Sequence, residues 1–212
     1  MPPAAASKLR SYGVIGPAVV RWSIRMARRR WHTRRAGNIG WAVPQSALSI
    51  DGRTATLGEL SVDRLATLCN SSDTDTRAVA NLYHERPERY PMAYVLLFDD
   101  VLGGLVASRI DHGTATAEVD LAVRSDDLSA AVVEYVALQI VPVLTGRFRT
   151  LRRISCAVRL DDELSAKGLS AAGFVSEGWA PPYLWDVVET PHPEDTHREM
   201  WTYFVPSPDI SA

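Results

Sequence analysis

Apolar and polar positions change period several times along the chain, and each change predicts an element. A short alternating run at 54–57, ended by Gly58, reads as a strand. Ser61 then stands as an N-cap before 62–69, where Leu65 and Leu68 fall at helical spacing. Val79, Leu82 and Tyr83 give 75–83 the same period, and Pro87 and Pro91 break it. Three strand-like runs follow, at 92–98, 102–110 and 115–123. The gaps between them, Asp99-Asp100 and Asp111-His112-Gly113-Thr114, are short and turn-rich, which predicts antiparallel hairpins. Residues 128–144 return to the helical period through Leu128, Val132, Tyr135 and Gln139, with Pro142 at the last turn or a kink. A strand at 153–160 and a helix at 163–172 come next, the helix closed by Gly173 as its C-cap. Strands at 174–178 and 183–188 form the expected last pair, and the polar, proline-rich residues 191–212 read as a tail.

Ahead of these elements, Val20, Ile24, Ala27 and Trp31 recur at spacings of 4, 3 and 4 and so share one helical face. Arg21, Arg25 and Arg28 line the neighbouring face, and Gly37-Asn38-Ile39-Gly40 punctuates the end of this arm. Charge sharpens the picture. The formal net charge is only -2, yet the first 50 residues hold nine basic side chains and no Asp or Glu, so all 25 acidic residues lie beyond them. A basic helix of this kind suits three roles. It docks on an acidic body or another subunit, it contacts a polyanion through Arg21, Arg25, Arg28 and Arg29 with Trp22, Trp31 and His32 to stack, or it lies on a membrane surface. Its arginines follow the apolar patch 14–20 instead of preceding it, unlike a secretory signal.

At 212 residues and 46% hydrophobic, the chain has room for one domain with appendages: a basic arm at 1–40, a domain at 41–190 and the tail at 191–212. Disorder along the whole length is excluded by the apolar content. Cys69 and Cys156 make no disulfide framework, and the five histidines show no ligand spacing, so no metal is expected. No uninterrupted apolar stretch reaches the ~18 residues of a membrane span, and a cytoplasmic location is expected.

Candidate chemistry centres on 117–123. Glu118 and Asp120 alternate with Val119, Leu121 and Val123, so both carboxylates share one face of the strand. Burial would raise the pKa of such a group toward that of a general base; a solvent-facing acidic pair fits the same alternation. Cys156, between Ser155 and Ala157, is a small buried hydrophobe unless a base stands beside it. Trp179-Ala180-Pro181-Pro182-Tyr183-Leu184-Trp185 is aromatic enough to line a pocket or complete a core.

The order of elements from about 54 to 188, with Gly173-Phe174 closing the penultimate helix, resembles the GNAT (Gcn5-related N-acetyltransferase) superfamily. The resemblance implies an α/β (α+β) fold: a mixed, mainly antiparallel sheet with flanking helices, splayed between its fourth and fifth strands to admit a thioester donor. The family's pyrophosphate loop, Arg/Gln-x-x-Gly-x-Gly/Ala, falls on Arg124-Ser125-Asp126-Asp127-Leu128-Ser129-Ala130, which has no glycine and two adjacent carboxylates. Two like charges ~4 Å apart near a protein surface oppose each other by roughly 4 kcal/mol. Where family members carry a tyrosine that protonates the leaving thiolate, this chain has Leu169; the family's Asn and Ala positions hold Asp162 and Ser165.

The resemblance implies Glu118 or Asp120 as base, Leu121, Ala122, Val123, Ser125, Ser129 and Ala130 as donor-binding, and Tyr183 and Trp185 in an acceptor pocket. It implies an N-acyltransferase moving an acyl group to a small-molecule or peptide amine, with acyl-CoA as co-substrate and no metal. The missing glycines open a second version, with an acyl carrier protein or an aminoacyl-tRNA as donor. A third is a non-catalytic GNAT-like module that binds a partner through its basic helix.

Overall fold

The computed structural model describes residues 43–85, 89–179 and 198–206, apart from the side chain of Trp179. The helix expected in the basic arm and the strand expected at 183–188 lie outside the described residues.

Eight strands form one sheet: β1 (Ala47–Ile50), β2 (Arg53–Glu59), β3 (Met92–Phe98), β4 (Val101–Asp111), β5 (Thr116–Val123), β6 (Arg153–Arg159), β7 (Val175–Trp179) and β8 (Arg198–Phe204). Their order is β1-β2-β3-β4-β5-β6-β8-β7, and every neighbouring pair is antiparallel except β5 with β6. The tight turns Asp51-Gly52 and Asp99-Asp100 put both central residues at positive φ, the twist that closes a two-residue hairpin. The single parallel step needs a crossover, and helix α3 (Ala130–Arg147) supplies it.

Helices cover both faces. On one, α1 (Val62–Cys69) and α2 (Thr74–Glu85) bury Leu68 and Ala80 on Val95, Leu97 and Leu105. Ser61 caps α1 as its spacing predicts, its hydroxyl accepting from the Arg64 N–H at 3.3 Å. On the other face lie α3 and α4 (Glu163–Ala171), with Val132, Val136, Ile140, Leu144 and Leu169 packed among Leu96, Val106, Val119 and Ile154. Gly168 lets α4 approach α3 closely, because a Cβ there would stand 2.5 Å from the Ala130 carbonyl. Gly173 follows at φ +87°, the left-handed residue after the helix end. Pro142 sits inside α3 without ending it. Pro142 and Leu138, whose carbonyl it deprives of a donor, are both exposed, so water can satisfy that oxygen. With a mean hydropathy of 1.3, α3 is the one described helix long and apolar enough to cross a membrane. Here its apolar side is spent on the sheet and α4.

Two readings need correction. Residues 198–204, assigned to a polar tail, form β8, which lies between β6 and β7 with Met200 and Thr202 buried. Prolines and charges before this segment masked an alternation whose buried members are only those two. Accordingly β7 pairs with β8. The hairpin partner of β2 was also missed: β1 is half-buried and held by the Tyr135 hydroxyl, which donates to the Ser46 carbonyl at 2.6 Å.

Candidate active site

The parallel pair β5 and β6 stays together only briefly. Thr116–Val119 pair with Arg153–Cys156, and no pairing follows. Beyond that point β5 remains bonded to β4 as far as Val123 opposite Gly104, while β6 remains bonded to β8 as far as Arg159 opposite Arg198. Each strand is held by its outer neighbour, and the inner edges diverge. The Asp120–Val123 backbone therefore presents one edge that none of the described strands uses.

Beneath the divergence, on the α3 and α4 side, is a small apolar cavity of about 20 Å³. Val119, Leu121, Ile140, Cys156, Leu169 and Phe174 line it. Leu169, at the position where a proton-donating tyrosine would stand, adds only a hydrocarbon wall. Burial, reinforced by the nearby Asp120 charge, pushes the Cys156 thiol up to about 12, so it is no nucleophile at neutral pH.

The opposite face carries the polar chemistry. The β4–β5 register sets Arg109 across from Glu118 and Ala107 across from Asp120. Arg109 reaches both carboxylates, Nε to Glu118 Oε2 at 3.5 Å and Nη2 to Asp120 at 3.4 Å. The side chains of Glu118 and Asp120 are only 23% and 24% exposed, so the pair is not a solvated acidic face. Tyr90 donates its hydroxyl to Asp120, and Arg198, at the start of β8, adds a second positive charge nearby. Desolvation nevertheless dominates and holds the Asp120 carboxyl above the ordinary range, against the pull of Arg109, Arg198 and Tyr90. Among the described residues no hydrogen bond reaches Asp120 Oδ2. Both Asp120 oxygens lie 3.4 Å from Arg109 Nη2, and a carboxyl whose pKa is raised by burial has the character of a proton acceptor.

Farther along the same face, Ser155 Oγ stands 3.3 Å from Thr202 Oγ1, and Thr202 donates to Glu177 Oε2 at 2.6 Å. Arg153 completes this chain through an ion pair with Glu177.

The loop after β5 is a single 3-10 turn, Ser125–Asp127, followed by Ser129 as the N-cap of α3. Several of its N–H groups are already engaged. Ser125 gives its amide and its hydroxyl to Asp73 Oδ2, at 3.1 and 2.7 Å. Asp127 N–H donates to the Arg124 carbonyl, Val132 N–H to Ser129 Oγ, and Val133 N–H to the Ser129 carbonyl. Ala130 and Ala131 hold the N–H groups that the first turn of a helix leaves over. Asp127 is turned inward, its side chain 7% exposed, onto Arg53 at 2.7 Å.

Of the residues expected at the site, Asp120, Leu121, Ala122 and Val123 thus border the divergence, and Glu118 stands in the paired stretch just before it. Ser125, Ser129 and Ala130 form the loop at its end. Tyr183 and Trp185, together with Arg21, Arg25, Arg28 and Arg29, lie outside the described residues. Among the described residues no group of His, Cys, Asp and Glu is arranged to hold a metal. Tyr90, Arg109, Arg198 and Asp73 were missed. Arg109, a charge closing an otherwise apolar strand, was readable from the hairpin register; Asp73 was not, because its partner lies 52 residues away.

No family model and no curated protein matches this chain. Solved structures do. RimJ from Mycobacterium smegmatis, determined with CoA-disulfide, superposes with a TM-score of 0.55 at 14% identity, covering 75% of this chain and 86% of that one. Spermidine N-acetyltransferase from Vibrio cholerae, determined with CoA and spermine, gives 0.52 at 14% identity over 71% and 95% of the two chains. An acetyltransferase of the GNAT family from Bacillus anthracis gives 0.51 at 11% identity over 75% and 98%. At these identities the likeness is one of fold: the chain has the GNAT fold.

Proposed function

We propose that this chain is an N-acyltransferase that moves an acyl group from a thioester to an amine. One observation carries the reading: Asp120, a carboxyl whose pKa burial raises, stands on the strand where β5 and β6 part, beside a backbone edge that none of the described strands pairs with. That edge suits the amides of a pantetheine arm, which would bind it as an added strand does. The solved structures that share the fold add support, since two of them hold CoA compounds.

In this reading the amine nitrogen attacks the thioester carbonyl, forming the C–N bond. Asp120 takes the proton that the amine must shed, and collapse of the tetrahedral intermediate breaks the C–S bond. The leaving thiolate takes its proton from water, because Leu169 has none to give. Tyr90 and Arg109 orient the base, and Arg109 and Arg198 keep it from becoming too basic to ionise.

Amine-dependent release of free thiol from acyl thioesters, measured with wild type and Asp120→Asn, tests this. The variant should retain its fold and lose about 10²–10⁴-fold in kcat, the contribution of a positioned base. A second reading, a non-catalytic binding module, is favoured by Leu169 and by the self-occupied loop. Thiol release absent with every donor would establish it in place of the transferase, whereas release undiminished in the variant would remove Asp120 as the base.

A further inference from the structure

A thioester lying along the free edge of β5 would carry whatever follows its pantetheine toward the end of that strand and the start of α3. There a helix N-terminus ordinarily receives phosphate. In this chain the place already holds an anion. Asp73 caps α2 with Oδ1, which accepts from the Thr76 N–H at 2.8 Å. A cap needs no more than that, and serine or asparagine provides it as well. The second oxygen instead crosses to the β5–α3 loop and takes both the amide and the hydroxyl of Ser125. Asp127, in the same loop, is fixed on Arg53, and Asp126 is exposed beside it. The loop therefore meets an incoming pyrophosphate with up to three carboxylates, one of which already holds the Ser125 amide and hydroxyl.

We infer that Asp73 is a specificity-determining residue, a built-in anion that excludes nucleotide-bearing donors and leaves the wedge to thioesters of pantetheine that lack the nucleotide. This rests on the transferase reading for its substrate and on the loop geometry alone for the exclusion. Such an arm comes free or attached to a carrier protein, and the two sources share the chemistry the wedge would bind.

Two measurements separate the parts. Calorimetry with 3′-phospho-ADP reads the exclusion without catalysis. Wild type should show no binding at millimolar nucleotide, and Asp73→Asn and Asp73→Ser, which keep the cap and the fold, should bind it at least tenfold more tightly. Kinetics then compare acetyl-CoA, S-acetyl-pantetheine and an acetylated carrier protein. Wild type should favour the pantetheine donors in kcat/KM, with the free and carrier-borne forms showing which source is used, and both variants should move the ratio toward acetyl-CoA by tenfold or more. Nucleotide binding by wild type as tight as by the variants, or no gain in either variant, overturns the inference. Gained nucleotide binding with no transfer from any donor leaves the exclusion standing and overturns the transferase reading.

Discussion

At the residue scale a single guanidinium, that of Arg109, meets both carboxylates of the proposed site. It lies 3.5 Å from Glu118 and 3.4 Å from Asp120, and its ring partner Tyr90 sits 5.6 Å from its centre. Arg109→Met should therefore raise the Asp120 pKa further and shift the acidic limb of kcat/KM to higher pH, because the charged form loses its nearest support. In wild type that limb should already lie above the ordinary carboxylate range, activity rising with pH as Asp120 ionises. The two aspartates behave oppositely toward stability. For Asp73, burial works to raise the pKa, but hydrogen bonds from Ser125 and Thr76 outweigh it and leave it below 3.8. Its contribution is thus present above the unfolded-state value and lost as pH falls through the lower native one. For Asp120 the native pKa is raised, so its contribution is present in acid and lost as pH rises through the native value. Acid unfolding curves of wild type and Asp73→Asn should accordingly converge as pH drops below about 4, and stay apart at neutral pH.

At the scale of elements, β8 decides the integrity of the sheet. It bonds to β6 on one side and β7 on the other, with Thr202 fully buried. Thr202→Pro removes a ladder donor from an interior strand and should unfold the domain or abolish its expression. Gly168→Ala should cost about 1–3 kcal/mol in chemical denaturation, since its Cβ has no room against the Ala130 carbonyl and Val133.

Local patterns made much of the architecture legible in advance. Ser61 as a cap, the Asp99-Asp100 turn, the apolar run 92–98 and Gly173 after α4 are set by neighbours in the chain, and the structure has them there. The same is true of the alternation that puts Glu118 and Asp120 on one face. What escaped notice depends on distant partners. The strand character of 198–204 is expressed only between β6 and β7. Asp73 reads as a cap until Ser125 is brought beside it, and the partners of the carboxylates, Arg109 for both with Tyr90 and Arg198 for Asp120, are ones that a periodicity does not reveal.

For the whole molecule, the organising feature is a sheet whose two halves are joined by four parallel residue pairs and then part. Antiparallel neighbours secure each half, so the opening costs no unsatisfied strand beyond the short edge it exposes. Charge is organised on the same scale, with nine basic residues and no acidic ones before residue 50. If the arm meets a polyanion, filter binding of tRNA should weaken steeply with salt, and Arg28→Ala with Arg29→Ala should reduce the slope by about 2. Association that ignores salt would rule that role out.

The opening itself is best tested by backbone amide NMR during titration with S-acetyl-pantetheine. Chemical-shift changes should concentrate at 119–123 and 157–159, with slowed amide exchange along Asp120–Val123 as the ligand pairs with the free edge. Unchanged spectra at saturating thioester, or changes confined to the outer strands, would mean that the parting of β5 and β6 is not where an acyl donor binds.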